Sequence, residues 1–176
     1  MTRRRAAFFA ATAGAVIVAD QVTKALIRHS LDVGESVPVV DGILWFTRVQ
    51  NTGGAFGVMQ GQRWIFVGLA LAVLSAIWWV LRQGRADQPL VLLGLALIAG
   101  GTVGNVLDRV VAGSVTDFID FGWFPVFNIA DMALDIGVAL VVVWLLFGHR
   151  AEPEMAPEGD ADGGEGASAG VEAPSP

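Results

Sequence analysis

Residues Gly100–Ile136 read GGTVGNVLDRVVAGSVTDFIDFGWFPVFNIADMALDI. One long apolar run ends inside this stretch and another begins there, with Asp108, Arg109, Asp117, Asp120, Asp131 and Asp135 among and between them. A bilayer makes every uncompensated charge expensive, so ionisable side chains placed there need a partner or a task. Asp117 falls in the connection between the runs and Asp131 in the first turn of the second. That placement can bring two carboxylates together at one membrane boundary.

Composition decides which solvent surrounds the fold. Hydrophobic residues make up 54% of the 176 and charged residues 16%, against about 25% charged in a soluble domain, and mean hydropathy is +0.60. The chain is read as a single-domain membrane protein whose helices pack on one another in lipid. Its net charge of -6 comes from the segment after Arg150, which holds Glu152, Glu154, Glu158, Asp160, Asp162, Glu165 and Glu172 and no base. Elsewhere eleven bases face ten acids, and nothing in that balance points to nucleic acid. Cysteine is absent, which excludes disulfides, a thiol nucleophile, cysteine-ligated zinc and lipidation of this chain on cysteine.

In chain order, Met1–Arg5 is basic and Ala6–Ala19 apolar, resembling the n- and h-regions of a signal peptide, with Arg3 and Arg4 giving a twin-arginine look. The helical pattern continues through Asp20, Lys24 and Arg28 with no small-x-small site set before a mature domain, so this segment is read as a retained first span over 6–27. Residues 30–62 carry β-prone pieces, Ser36–Val40 and Ile43–Val49, punctuated by Gly34, Pro38, Asp41-Gly42 and Gly53-Gly54. They predict a small extramembrane sheet or hairpin. Three further spans follow at 64–81, with Trp64, Trp78 and Trp79 near its ends, at 89–107, opened by Pro89, and at 128–147. The fold class is therefore an all-α membrane protein, four transmembrane helices with a small β-sheet on the outer face. Residues 1–150 form the domain, and 151–176 read as a disordered acidic tail.

Arg3, Arg4, Arg5, Arg82, Arg85 and Arg150 flank one side of the spans, and Arg28, Arg48, Arg63 and Arg109 the other. The bias predicts cytoplasmic termini, which places residues 30–62 and the connection 108–127 together on the outer face.

Several motifs carry candidate chemistry. In DQVTK, Asp20 and Lys24 stand four apart on one helix face and can pair, orienting helices or sitting at the outer boundary; a desolvated Lys24 can also serve as base to a serine. NTGGAFG, Asn51–Gly57, offers glycines for positive φ or close backbone approach and Phe56 as an apolar wedge, equally suited to a plain turn or a loop dipping to the bilayer edge. In GNVLDR, Asp108 and Arg109 suit a structural helix end, whereas Asn105, one turn earlier, must find a hydrogen-bond partner in lipid. Asn128 looks like an N-cap and Asp131 like the reciprocal member of a capping box. Capping alone explains neither Asp135 on the same helix face nor Asn105 and Asp117 converging on the same edge. The residues by themselves leave a catalytic cluster, an ion-conducting cluster and a capped helix all open.

DQVTK, NTGGAFG, GNVLDR, GSVTDF and FNIADMAL, in this order across four spans, resemble the signature of the lipoprotein signal peptidases, the membrane aspartic peptidases also called signal peptidase II. The resemblance covers residues 15–140; Gly54 stands where the family more usually has alanine. It implies a bacterial inner-membrane enzyme that cuts a diacylglyceryl-modified prolipoprotein just before the lipidated cysteine, with no cofactor and no metal. By motif matching it implies Asp117 and Asp131 as the catalytic pair. Supporting or substrate-binding positions fall on Asp20, Lys24, Asn51, Gly54, Phe56, Asn105, Asp108, Arg109 and Asn128. The expected partners are that substrate and membrane lipids, with the chain acting as a monomer and its active site toward the outer face. Two rivals are a serine/lysine peptidase using Lys24 with Ser30 or Ser114, and a small ion or proton carrier relaying through Asp20, Asp117 and Asp131.

Overall fold

The computed structural model describes residues 1–54, 58–84 and 86–148; Phe56, Arg85, His149, Arg150 and the acidic tail lie outside the described residues. Among the described residues, four helices are long and apolar enough to cross a membrane: α1 Arg3–Ser30, α2 Arg63–Arg82, α3 Pro89–Val111 and α4 Ile129–Phe147. Three strands accompany them, β1 Ser36–Val40, β2 Leu44–Asn51 and β3 Val115–Asp120. Large apolar side chains such as Leu69, Leu71, Ile136, Val142 and Leu145 point away from the protein. Such an exterior fits lipid, where the hydrocarbon covers them.

α3 is the central helix and packs against the other three. Its small residues let backbones touch. A Cβ on Gly94 would lie 2.8 Å from the carbonyl oxygen of Gly137, and one on Gly137 would lie 2.6 Å from that of Gly94. The α3–α4 crossing is therefore a contact of bare main chains, the usual way helices associate where burial from water supplies no drive. At the end that carries the N-terminus Arg5 pairs with Asp87, tying the start of α1 to the approach to α3, and Ile77, Ala86, Val91, Leu92, Leu95 and Ala99 form a hydrophobic core cluster.

At the other end sits a three-stranded antiparallel sheet in the order β1-β2-β3. β1 and β2 form a hairpin turned through Asp41-Gly42, Gly42 at φ 74. β3 comes from the connection between α3 and α4. Its register against β2 runs from Asn51↔Val115 and Val49↔Asp117 to Phe46↔Ile119, shifting between Phe46 and Val49. Paired and alternate residues share a face, so Val49, Asn51, Val115 and Asp117 look the same way. Beyond the shift, Phe46 and Phe118 meet edge to face at 5.9 Å and, with Ile27 and Leu31, fasten the sheet to α1. Arg48 donates to the carbonyls of Arg28 and Leu31 at 3.2 and 2.7 Å, closing the C-terminal end of α1.

The helices extend past the expected spans: α1 covers Arg3–Ser30 against 6–27, and α3 runs on to Val111 against 107. Asp108 and Arg109 are thus helical residues, able to project across the bundle.

Candidate active site

Asp117 and Asp131 line one cavity of about 490 Å³ at the junction of sheet and bundle, walled also by Val49, Asn51, Gly54, Asn105, Arg109, Phe124, Phe127, Leu134 and Asp135. β3 presents Asp117, which is 3% exposed. Its Oδ1 accepts from Asn128 Nδ2 at 2.6 Å and its Oδ2 from Asn51 Nδ2 at 3.0 Å. The first turn of α4 presents Asp131, whose Oδ1 accepts from Asn105 Nδ2 at 2.7 Å and Oδ2 from the Asn128 backbone N–H at 3.2 Å. The Asn128 side chain accepts from the Asp131 N–H at 3.0 Å, completing a capping box. Capping and convergence are therefore both true of Asp131: one oxygen closes the helix end and the other faces α3.

Each carboxylate oxygen thus meets one amide donor, with Asp117 buried and Asp131 half-buried. Burial comes first in raising the pKa of Asp117 to about 6, followed by the neighbouring charge of Asp131; the donors Asn51 and Asn128 and the Lys24 charge pull it back. Two acids in one enclosed space do not easily both ionise.

Behind the acids lies a buried polar layer. Lys24 Nζ donates to Asp20 Oδ2 at 2.9 Å, Asp108 Oδ2 at 3.2 Å and Asn105 Oδ1 at 2.9 Å. Its three partners are two carboxylates and an amide oxygen, so Lys24 is built into an ion-pair layer rather than set against a serine. Asp20 Oδ1 accepts from the Ala130 N–H at 3.0 Å, joining α1 to the start of α4. Asp108, read from sequence as a companion of Arg109, instead faces Lys24, the Thr116 N–H at 3.1 Å and Arg28 at 3.6 Å. Two members escaped the sequence reading. Gln21 donates to Asp20, the Gly104 carbonyl and Asp108 at 3.0, 3.1 and 3.3 Å, and Thr116 accepts from Arg28 at 3.2 Å. Gln21 was signalled by standing as an amide inside the apolar first span, within DQVTK.

Arg109 donates to the Gly53 carbonyl at 3.0 Å and toward that of Asn105 at 3.4 Å. The Gly53 N–H donates to Asn51 Oδ1 at 2.9 Å. Gly53 and Gly54 are not at positive φ; what Gly53 supplies is close approach, since a Cβ there would lie 2.6 Å from the Val58 carbonyl oxygen.

The family model for signal peptidase II matches residues 12–147. The chain belongs to the signal peptidase II family. Among similar proteins, the lipoprotein signal peptidase of Shouchella clausii (strain KSM-K16) is 41% identical over 138 residues, 78% of this chain and 91% of that protein. That of Syntrophomonas wolfei subsp. wolfei (strain DSM 2245B / Goettingen) is 44% identical over 139 residues, 78% and 92%. A bacterial membrane enzyme solved by the in meso method at 2.3 Å superposes with a TM-score of 0.80 at 32% identity, covering 85% of this chain and 94% of that one. Membership makes the chain a peptidase, and its four apolar helices fit a multi-pass protein of the bacterial inner membrane.

Proposed function

We propose that this peptidase is an aspartic endopeptidase that removes the signal peptide from diacylglyceryl-modified prolipoproteins, cutting just before the lipidated cysteine. The observation that carries the reading is the convergence of Asp117 and Asp131, from different elements, on one cavity with an amide donor for each oxygen. With one proton shared between the acids, the ionised carboxylate takes a proton from water as the water oxygen attacks the scissile carbonyl carbon. The protonated acid donates to the carbonyl oxygen, and collapse of the tetrahedral intermediate passes a proton to the leaving amine of the cysteine. Arg109 and Asn105 orient substrate carbonyls along the wall.

The remaining wall suits a lipidated substrate. Val49, Val115, Phe124, Val126, Phe127 and Leu134 are apolar and meet the site at the level where α4 begins, so acyl chains stay in the bilayer while the amide reaches the polar edge. The positive-inside bias puts both termini in the cytoplasm and this cavity toward the outer face. One chain contributes both acids, in keeping with a working monomer.

The deciding experiment compares the purified chain on a diacylglyceryl-modified prolipoprotein and on its unmodified form, with the new N-terminus identified by mass spectrometry. Cleavage of the modified form alone, before the cysteine, is expected. Equal cleavage of both, or cleavage elsewhere, would end the reading.

A further inference from the structure

α2 supplies neither acid, yet its first turn reaches the site through one side chain. The guanidinium carbon of Arg109 stands 4.8 Å from the centre of the Phe66 ring. The same guanidinium is held at its edge by the carbonyls of Gly53 and Asn105. The far edge of the ring rests on Gly54, where a Cβ would lie 3.1 Å from Phe66 Cε1 and 3.2 Å from Cζ, tighter than ordinary contact. Gly54 and Arg109 both line the cavity, whereas Phe66 stands behind them.

We infer that Phe66 is a positioning residue for the reaction: it fixes the plane of the Arg109 guanidinium at the cavity wall, and Gly54 is the space that admits its ring. The inference rests on the role given above to Arg109. An arginine carries five N–H donors on a long, rotatable stem. Two carbonyl contacts on one edge leave the group free to swing about that edge. A ring against its face removes the swing and adds attraction between the cation and the aromatic quadrupole. Without the ring the charge stays near the site, but the remaining donors no longer meet a substrate carbonyl in a fixed direction, and orientation is what such a contact contributes to the rate.

The experiment uses the full chain in lipid nanodiscs and a diacylglyceryl-modified prolipoprotein peptide, with kcat, KM, single-turnover rate and melting temperature measured for each variant. Phe66→Leu keeps an apolar side chain and removes the ring. It should lower kcat/KM about three- to thirtyfold, mainly through kcat, with melting close to that of the parent. Phe66→Tyr should stay within about twofold of it, since the aromatic face is kept. In an Arg109→Lys background, where no planar group remains to stack, Phe66→Leu should cost less than it does alone. Gly54→Val, whose branched side chain cannot sit beside the ring edge without displacing it, should reproduce the loss in the parent and add nothing on top of Phe66→Leu. Should Phe66→Leu fail to fold, Gly54→Val with and without Arg109→Lys decides alone. Parent-like turnover in Phe66→Leu, an equal loss in both arginine backgrounds, or no rescue by tyrosine overturns the inference. A parent chain that leaves the lipidated peptide intact removes the functional reading instead, and the inference with it.

Discussion

Lys24 holds Asn105 by its oxygen: Nζ donates to Oδ1 across 2.9 Å, and the amide nitrogen is thereby turned to Asp131 Oδ1 at 2.7 Å. An ammonium can only donate, so it selects which end of the amide faces the acid. Asn128 Nδ2 donates to the same oxygen at 3.2 Å and reinforces the choice. Asn105→Leu removes the donor to Asp131 and strips Lys24 and Asn128 of an acceptor. Stability should fall by about 1–3 kcal/mol and turnover per folded molecule by at least about tenfold, read by denaturant unfolding and single-turnover cleavage; unchanged cleavage would remove Asn105 from the machinery.

Lys24→Met leaves Asp20 and Asp108, both buried, facing each other without the ammonium between them. Breaking a buried pair by removing one partner costs about 3–5 kcal/mol. The variant should melt well below the parent in detergent, and a near-parental melting curve would show the buried layer to be dispensable.

Asp117→Asn and Asp131→Asn should each cut turnover by ~10²–10⁴-fold or more while the protein still inserts and purifies. Chelators should leave the parent's activity intact. Retained turnover in either variant, on purified enzyme, would dismiss the paired acids.

The raised pKa of Asp117 sets a direction for stability against pH. Folding moves it from 3.8 to about 6, so between those values the native chain holds a proton that the unfolded chain has released. Stability is full below pH 3.8 as far as this group is concerned, and falls as pH rises toward 6, by roughly 3 kcal/mol in all. Unfolding measured from pH 4 to 7 should show that decline in the parent and a flatter profile in Asp117→Asn. An equal slope in both would assign the effect to another group.

Replacing Gly53 and Gly54 together with valine tests whether the Asn51–Gly57 loop covers the cavity as a lid. The Gly53 peptide is anchored at its N–H by Asn51 and at its carbonyl by Arg109, and a Cβ there collides with the Val58 carbonyl. A lid that closes to exclude water should lose turnover out of proportion to stability. Melting temperature and single-turnover cleavage on the same double variant decide it: near-normal cleavage per folded molecule returns the loop to an ordinary turn.

Much of the fold was legible because lipid imposes long apolar runs, and because Pro89, Asn128 and Asp41-Gly42 mark ends and turns by local chemistry. β3 was not. Its six residues pair with β2, far back in the chain, and no hairpin signal sits beside them, so Val115–Asp120 read as connection. Asp117 was singled out by its charge rather than by the strand that aims it. Asp108 was assigned to its sequence neighbour Arg109, whereas the helix projects it toward Lys24 on α1, a pairing set by packing of spans rather than by spacing. Phe66 carried no signal, since a phenylalanine in an apolar helix looks like any lipid-facing residue until the ring is seen against Arg109.

The hydrogen bond from the Ala130 N–H to Asp20 joins the first span to the last. While the chain is being threaded into the membrane, an intermediate with three spans in place owns Asp117 but neither Asp131 nor the Asn128 amide that steadies Asp117. On the proposed mechanism the pair of acids is completed only when the fourth span docks on the first and third. A nascent chain would then be unable to cleave its neighbours in the bilayer until it is fully assembled.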